Sequence, residues 1–269
     1  MISKPVIIIT GAAGSIGSAI AKKFAINGFA IVITDNDNEK LNRLKKEIDT
    51  YCPDVLSFTG DIQDITFIEG IINAVNKQWG KIDVLINNAA WRTRETLRTI
   101  SPENWEKTIR VCLTAPAFFT RYAAAVMEKN NKGIIINISS IQSSLAGGGS
   151  PAYTACKGAL ESLTYESAVL YGPQGIRVVA VNPGYIITDL SADLENESGD
   201  NVSELFNADM MVNTPLKRGG NASEVAAVIY WLSSDEASFI TGTSITVDGG
   251  FTHNFNSYSL KKIQFPKEF

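Results

Sequence analysis

Val6-Ile7-Ile8-Ile9-Thr10-Gly11-Ala12-Ala13-Gly14-Ser15-Ile16-Gly17 is the stretch whose reading decides the fold. An apolar, β-branched run ends at Thr10, three glycines follow at spacings of three, and helical periodicity then sets in over Ile16–Asn27. Glycines between a strand and a helix let the chain turn sharply and let a pyrophosphate approach the backbone at the helix N-terminus. Asp35 ends the second apolar run, 18 residues after Gly17. In that place a carboxylate accepts hydrogen bonds from an adenosine ribose and repels a 2′-phosphate. The stretch is therefore expected to bind a dinucleotide, NAD(H) in preference to NADP(H).

Outward from this turn, short apolar runs alternate with longer helical patterns. Val6–Thr10, Ala30–Thr34, Val55–Phe58, Ile82–Ile86, Gly133–Ser139, Ile176–Asn182 and Ser244–Val247 read as strands. Between them Ile16–Asn27, Asn38–Thr50, Ile65–Trp79, Pro102–Glu128, Ala152–Tyr171 and Ser223–Leu232 read as helices. Near-continuous Val/Ile runs such as GIIINIS mark strands covered on both faces, as in a parallel sheet. The alternation predicts one α/β domain over residues 1–269, a doubly wound, Rossmann-type fold with a seven-stranded, mainly parallel sheet and helices on both faces. Two segments stand apart. Thr188–Leu216 is a long connection after a strand, carrying Asp189, Asp193, Glu195, Glu197, Asp200, Glu204 and Asp209 but no Lys or Arg, and is expected to be a substrate lid. The tail after Gly250 carries Phe251, Phe255, Tyr258, Phe265 and Phe269, too many aromatics for a free end, and is expected to dock.

Composition narrows the chemistry. The chain has 269 residues, 45% hydrophobic and 19% charged, and 24 Lys+Arg against 28 Asp+Glu give a net charge of −4. A nucleic-acid partner would call for a basic excess, and none is present. No apolar run approaches the roughly 20 residues of a membrane span, and the run after Met1 is too short for a signal peptide. Cys52, Cys112 and Cys156 are far apart and odd in number, as expected of reduced thiols in a cytoplasmic protein. His253 is the single histidine, which excludes a His-based metal cluster. No metal is expected, and the chemistry should run on Ser, Tyr, Lys, Asp or Cys.

Tyr153 and Lys157 lie four apart in Y-T-A-C-K, on one face of a helix. Ser140 follows the fifth strand, at the carboxyl edge where open α/β sheets bind ligands, 13 residues before Tyr153. A phenol is a weak base near neutrality, but a neighbouring cation favours the phenolate. Tyr153 could then exchange a proton with a substrate hydroxyl while hydride moves to or from a nicotinamide, with Ser140 bonded to the same oxygen.

With these motifs the chain resembles the compact, single-domain branch of the short-chain dehydrogenase/reductase family. The resemblance runs from Val6 to Phe251. It is carried by TGAAGSIG, by Asp61 after the third strand, and by Asn87-Asn88-Ala89-Ala90 after the fourth. Asn-Ile-Ser-Ser ending at Ser140, YTACK, Asn182-Pro183-Gly184 with Thr188, and Val247-Asp248-Gly249-Gly250 complete it. It implies an NAD(P)-dependent alcohol dehydrogenase or carbonyl reductase acting on CH–OH groups, with Ser140, Tyr153 and Lys157 as its catalytic residues. It further implies a cofactor site of Gly11, Ser15, Ile16, Gly17, Asp35, Asp61, Ile62, Asn88, Ala89, Ala90, Tyr153, Lys157, Pro183, Gly184, Ile187 and Thr188. There Asp61 would meet the adenine amino group, Asn88 the adenosine ribose and Lys157 the nicotinamide ribose. Thr188 and the Ile187 backbone would hold the carboxamide. The resemblance also implies a homotetramer or homodimer assembled through the Pro102–Glu128 and Ala152–Tyr171 helices, where Phe118, Leu163 and Leu170 are candidate contacts.

Two departures qualify the match. Gly11, Gly14 and Gly17 follow the TGxxGxxG spacing of the family's longer branch, with Ser15 where the compact branch has glycine. Cys112 stands where the family's catalytic asparagine is expected, in a proton relay near the lysine. A thiol lacks the amide carbonyl, so the relay could be altered. This leaves two alternatives to the dehydrogenase: a catalytically impaired NAD(H)-binding sensor or structural protein, and an NADPH-dependent 3-oxoacyl reductase. The substrate is a small molecule. Arg92, Arg94 and Arg98 follow NNAA, and Arg92, Arg94 and Tyr185 are candidates for holding it.

Overall fold

Strands form where the Val/Ile runs predict them. The computed structural model describes residues 4–188, 194, 196 and 198–269. Its main sheet contains β1 (Val6–Thr10), β2 (Ala30–Asp35), β3 (Val55–Thr59), β4 (Val84–Asn87), β5 (Gly133–Ile138), β6 (Ile176–Pro183) and β9 (Thr243–Val247). The spatial order is β3-β2-β1-β4-β5-β6-β9, and every neighbouring pair is parallel. Strand order reverses between β1 and β4, which opens a crevice at their carboxyl ends. Helices α1 (Ser15–Ile26), α2 (Asn38–Asp49), α3 (Ile65–Trp79), α4 (Pro102–Ile109), α5 (Ala115–Met127), α6 (Pro151–Tyr171), α7 (Ser203–Asn213), α8 (Ala222–Leu232) and α9 (Tyr258–Gln264) accompany it.

Alternation along the strands divides the core in two. Ile7, Ile9, Ile31, Ile33, Ile134, Ile136, Val179 and Val181 point to the face covered by α1, α2 and α8. Val6, Ile8, Val32, Leu85, Ile135 and Val178 point to the face covered by α3 and α5. Each such fully buried side chain stabilises the fold by about 1.5–3 kcal/mol relative to exposure. Helix starts follow local chemistry: Asp37, Asp64 and Ser101 accept backbone N–H groups at the heads of α2, α3 and α4. Gly80, at φ 70°, closes α3.

Two expectations are corrected. Pro102–Glu128 is not one helix, because a π turn over Arg110–Thr114 separates α4 from α5, with the Ala115 N–H bonded to the Arg110 carbonyl. Pro116 supplies the reason: it has no N–H for the Cys112 carbonyl four residues earlier, and its ring crowds that carbonyl. Second, the long connection contains a helix, α7, which its weak periodicity did not announce. Asp189, Asp193, Glu195 and Glu197 lie outside the described residues. The base of this connection is pinned by a short parallel pair, β7 (Ile186–Ile187) with β8 (Gly220–Asn221). Beside it Arg218 and Glu224 form a two-pronged ion pair at 2.6 and 2.8 Å. The expected seven-stranded sheet is present, and all its neighbouring strands are parallel. The tail is tied to its own chain at its start, where Asn254 Nδ2 donates to the Asn213 carbonyl at 2.6 Å and Lys217 lies over the Tyr258 ring, while Phe255, Phe265 and Phe269 stay exposed.

Candidate active site

Because all strands of the main sheet are parallel, their carboxyl ends share one edge, and the motifs that follow them meet there. Thr10 is level with Thr34, Asp35 with Thr59, Asn87 with Asn137, and Pro183 with Val247. Gly11, Asp61, Asn88, Ser140 and Gly184 therefore follow neighbouring strands along one rim.

The glycine turn is fixed from several sides. Gly11 has φ 61°, and a Cβ there would come within 2.6 Å of the Ala89 Cα. At Gly17 a Cβ would lie 2.3 Å from the Gly11 carbonyl oxygen, so only glycine lets α1 approach β1 so closely. The Thr10 hydroxyl accepts the N–H groups of Asn88 and Ala89, both at 3.0 Å. The Asn88 amide donates to the Thr10 and Gly11 carbonyls at 3.0 and 2.9 Å, so its side chain braces the turn from β4. The Asp35 carboxylate accepts the Ala13 N–H at 2.9 Å and the Asp37 N–H at 3.1 Å. Gly14 opens α1 with no side-chain cap, and Ser15, Ile16 and Gly17 form its first turn. An uncapped helix N-terminus beside a half-exposed carboxylate fits a dinucleotide's pyrophosphate and ribose. Of the other expected cofactor contacts, Asp61 is exposed and accepts from Gln63, and Ile62 is buried. Ala89 abuts Gly11, and Ala90 is exposed. Pro183 ends β6, Gly184 packs on Asp248, Ile187 ends β7, and Thr188 follows it, half-buried.

Lys157 carries the electrostatics of the site. It is 2% exposed, and its Nζ donates to the Ile138 carbonyl at 2.6 Å. The Lys157 carbonyl in turn accepts the Ser139 hydroxyl at 3.0 Å, so α6 is stitched at this residue to the end of β5. Ser140 is next in the chain, and its Oγ accepts the Gln142 N–H at 3.1 Å, leaving its proton available. The Lys157 ammonium lies 5.3 Å from the centre of the Tyr153 ring, and the Arg92 guanidinium 5.7 Å. Two cations thus flank a phenol that makes no hydrogen bond among the described residues.

Cys112 is fully buried in the π turn and bonded to Trp91. Burial pushes the Cys156 thiol, on α6, up to about 12, a shift that the nearby Cys112 reinforces and Lys157 opposes. Arg94 lies 6.0 Å from the Phe206 ring on α7. Tyr185 packs with Arg218, Leu216 and Asp248 around a cavity of about 110 Å³ at the base of the long connection, apart from Tyr153 in the contacts it makes.

Sequence reasoning missed several supports. Asn87 Nδ2 donates to Asn137 Oδ1 at 2.8 Å, and Asn137 Nδ2 to Thr164 Oγ1 at 2.9 Å, a buried polar chain tying β4, β5 and α6. The signal was present, since asparagine inside an apolar strand run must find partners. Glu161 accepts from Ser143 at 2.6 Å and also from Asn182, bracing the loop after Ser140 against β6. Among the described residues no group of three or more His, Cys, Asp or Glu could hold a metal ion, and no helix is long and apolar enough to cross a membrane.

Comparison with known proteins identifies the family. Residues 11–252 match the family model described as enoyl-(acyl carrier protein) reductase. An uncharacterized oxidoreductase of Thermotoga maritima is 35% identical over 94% of this chain and 97% of its own. Cis-4-hydroxycyclohexanecarboxylate dehydrogenase of Sinomonas cyclohexanicum is 33% identical over 92% of this chain and 96% of its own. Among solved structures, that of YwfH, an NADPH dependent reductase involved in bacilysin biosynthesis, superposes with a TM-score of 0.86 at 31% identity, covering 93% of this chain and 98% of that one. The glycine turn, the Asn88 brace and the Lys157–Tyr153 pair thus belong to an oxidoreductase, and the chain is a member of the short-chain dehydrogenase/reductase family.

Proposed function

We propose that the protein interconverts a secondary alcohol and a ketone with NAD(H), using Tyr153 as the proton-transferring group. The observation that carries this reading is the pairing of a fully buried ammonium, Lys157, with a phenol that has no hydrogen-bond partner among the described residues. Buried lysines are rarely left with a carbonyl as their one acceptor. Here the charge lies 5.3 Å from the centre of the Tyr153 ring.

The nicotinamide, when bound, supplies or accepts the hydride. Tyr153 Oη takes the proton from the substrate hydroxyl in oxidation and returns it in reduction. Ser140 Oγ, with its proton free, donates to the same substrate oxygen and orients it. Lys157, anchored by the Ile138 carbonyl, sets a positive charge beside the phenol and would hold the nicotinamide ribose. Gly11, Gly14 and Gly17 keep the backbone clear for the pyrophosphate.

For the cofactor, the NADPH dependence named for YwfH counsels against assuming NAD from the family. Asp35 supports NAD(H), because its carboxylate closes β2 beside the glycine turn and would repel a 2′-phosphate. Oxidation of a ring alcohol, named for the Sinomonas relative, supports a secondary alcohol as substrate. Leu170 is 59% exposed and Val169 78% exposed on α6, which supports self-association through that helix.

The test follows NADH absorbance with NAD and a panel of polyols, sugars, hydroxy acids and hydroxysteroids, using native protein and Tyr153→Phe. Turnover lost in the variant is expected. Undiminished turnover in the variant would overturn the assignment of Tyr153.

A further inference from the structure

We propose that Arg92 and Arg94 form an anion-binding subsite beside Tyr153, and that the substrate is a short hydroxy or oxo acid whose carboxylate it receives. This rests on the reading of Tyr153 as the proton-transferring group.

The loop carrying the two arginines is held in place. Cys112 bonds both backbone groups of Trp91, the residue before Arg92. The Ser150 hydroxyl donates to the Thr93 carbonyl at 3.2 Å, and Ser150 is the residue that immediately precedes α6, three residues before Tyr153. Arg92 and Arg94, on either side of Thr93, are therefore positioned relative to the helix that bears the phenol. Arg92 reaches the Tyr153 ring, and Arg94 reaches Phe206 on α7, the helix of the long connection. The pair thus connects the reacting group with the helix of the long connection, which we read as its cover.

Neither guanidinium meets a carboxylate among the described residues, although ion pairs elsewhere engage Lys4, Lys22, Lys40, Lys45, Lys81, Lys132 and Arg218. Loss of solvent around Arg94, and then the charge of Arg92 beside it, hold its guanidinium below the ordinary value. Two like charges held near each other, with no counterion among the described residues, gain from an anion placed between them. A planar fork matches a carboxylate with two parallel hydrogen bonds. The short reach from Arg92 to the phenol ring sets the size. A substrate oxygen at Tyr153 and an anion at Arg92 belong to one small molecule, a few bonds apart. Acidic residues Asp200, Glu204 and Asp209 on the cover disfavour a heavily charged substrate and favour a single negative charge.

The experiment uses matched pairs. Binding of 4-oxopentanoate and 4-oxocyclohexanecarboxylate, each against its carboxamide, is measured by calorimetry in the presence of whichever of NADH and NADPH the protein binds. The reduction rate of each is measured alongside. At least one acid should bind about tenfold tighter than its amide, ~1.4 kcal/mol, and the preference should shrink with added salt. Arg92→Gln with Arg94→Gln should collapse the acid-to-amide ratio toward one, and the double lysine variant should recover part of it. Arg98→Gln, on the same loop, should leave the ratio as it is. Acids that bind no better than their amides to the native protein would overturn the subsite, whether or not the variants fold. Acid-selective binding without turnover would preserve it and remove the hydride-transfer reading. Tyr153-dependent turnover of uncharged alcohols without acid preference would do the reverse.

Discussion

Cys112 Sγ lies 3.2 Å from the carbonyl oxygen of Trp91 and 3.3 Å from its amide nitrogen. One thiol thereby serves both backbone groups of a single residue, donating to the carbonyl and accepting from the N–H. The π turn over Arg110–Thr114 carries this thiol, and Trp91 leads into the loop of Arg92 and Arg94. Cys112 is thus a joint between the interrupted helix and the rim of the site, not merely a gap where an asparagine was expected.

Cys112→Ala should leave the Trp91 N–H and carbonyl without that partner and cost about 1–3 kcal/mol, read as a lowered urea midpoint. Cys112→Asn offers a donor and an acceptor on a longer side chain and should recover most of the loss. If alanine and asparagine are equally destabilising, the bonds to Trp91 contribute nothing and the site values only the volume of the thiol.

Tyr153→Phe removes an oxygen that bonds to nothing else among the described residues. It should therefore leave the thermal midpoint within about 2 °C while lowering kcat/KM by about 10²–10⁴-fold, the usual contribution of a positioned acid or base. Lys157→Met should act differently. It deletes the bond to the Ile138 carbonyl as well as the charge, so activity and stability should fall together. A stable and active Lys157→Met protein would remove the buried ammonium from the mechanism.

Legibility in the sequence follows periodicity and punctuation. The five central strands of the main sheet are runs buried on both faces, and such runs admit few alternatives; the edge strands β3 and β9 are only partly buried. Asp35, Ser140, Tyr153 and Lys157 could be placed because each stands at a fixed distance from a strand end. The π turn was hidden because Pro102–Glu128 keeps helical periodicity across it, although Pro116 marked the carbonyl left without a donor. The α7 helix was hidden because Leu205, Phe206 and Val212 stay exposed, so no apolar stripe announces it. Side-chain bonds between distant segments, such as Asn87 with Asn137 or Glu161 with Asn182, depend on which strands become neighbours. Local pattern does not encode that.

Asp35 separates two roles that a substitution can resolve. Its carboxylate holds the Ala13 N–H of the glycine turn, a structural task, and would repel a 2′-phosphate, an electrostatic one. Asp35→Asn keeps an acceptor and loses the charge. The ratio of kcat/KM for NAD to that for NADP should fall by about tenfold or more, ~1.4 kcal/mol, with little change in thermal midpoint. An unchanged ratio would mean that Asp35 serves the turn alone and that cofactor choice lies elsewhere.

Asp248 gives the fold a pH dependence with a definite sign. Burial pushes its carboxyl up, but bonds from the Thr252 hydroxyl and N–H and from the Gly250 N–H outweigh this and hold it below the ordinary 3.8. The same turn supports the end of the long connection, since the Gly249 carbonyl accepts the Leu216 N–H at 3.2 Å. With the native value depressed, the unfolded chain binds more protons in the window between the two values, and stability rises with pH across it. The contribution is complete above the ordinary value and is lost as pH falls through the native one. Asp248→Asn should therefore lower the urea midpoint at neutral pH by an amount equivalent to about 1 kcal/mol. The gap to the native protein should hold down to about pH 5 and shrink as pH falls below the ordinary 3.8 towards the native value. A gap of constant size across that range would show that the charge of Asp248 adds nothing beyond what a neutral acceptor supplies.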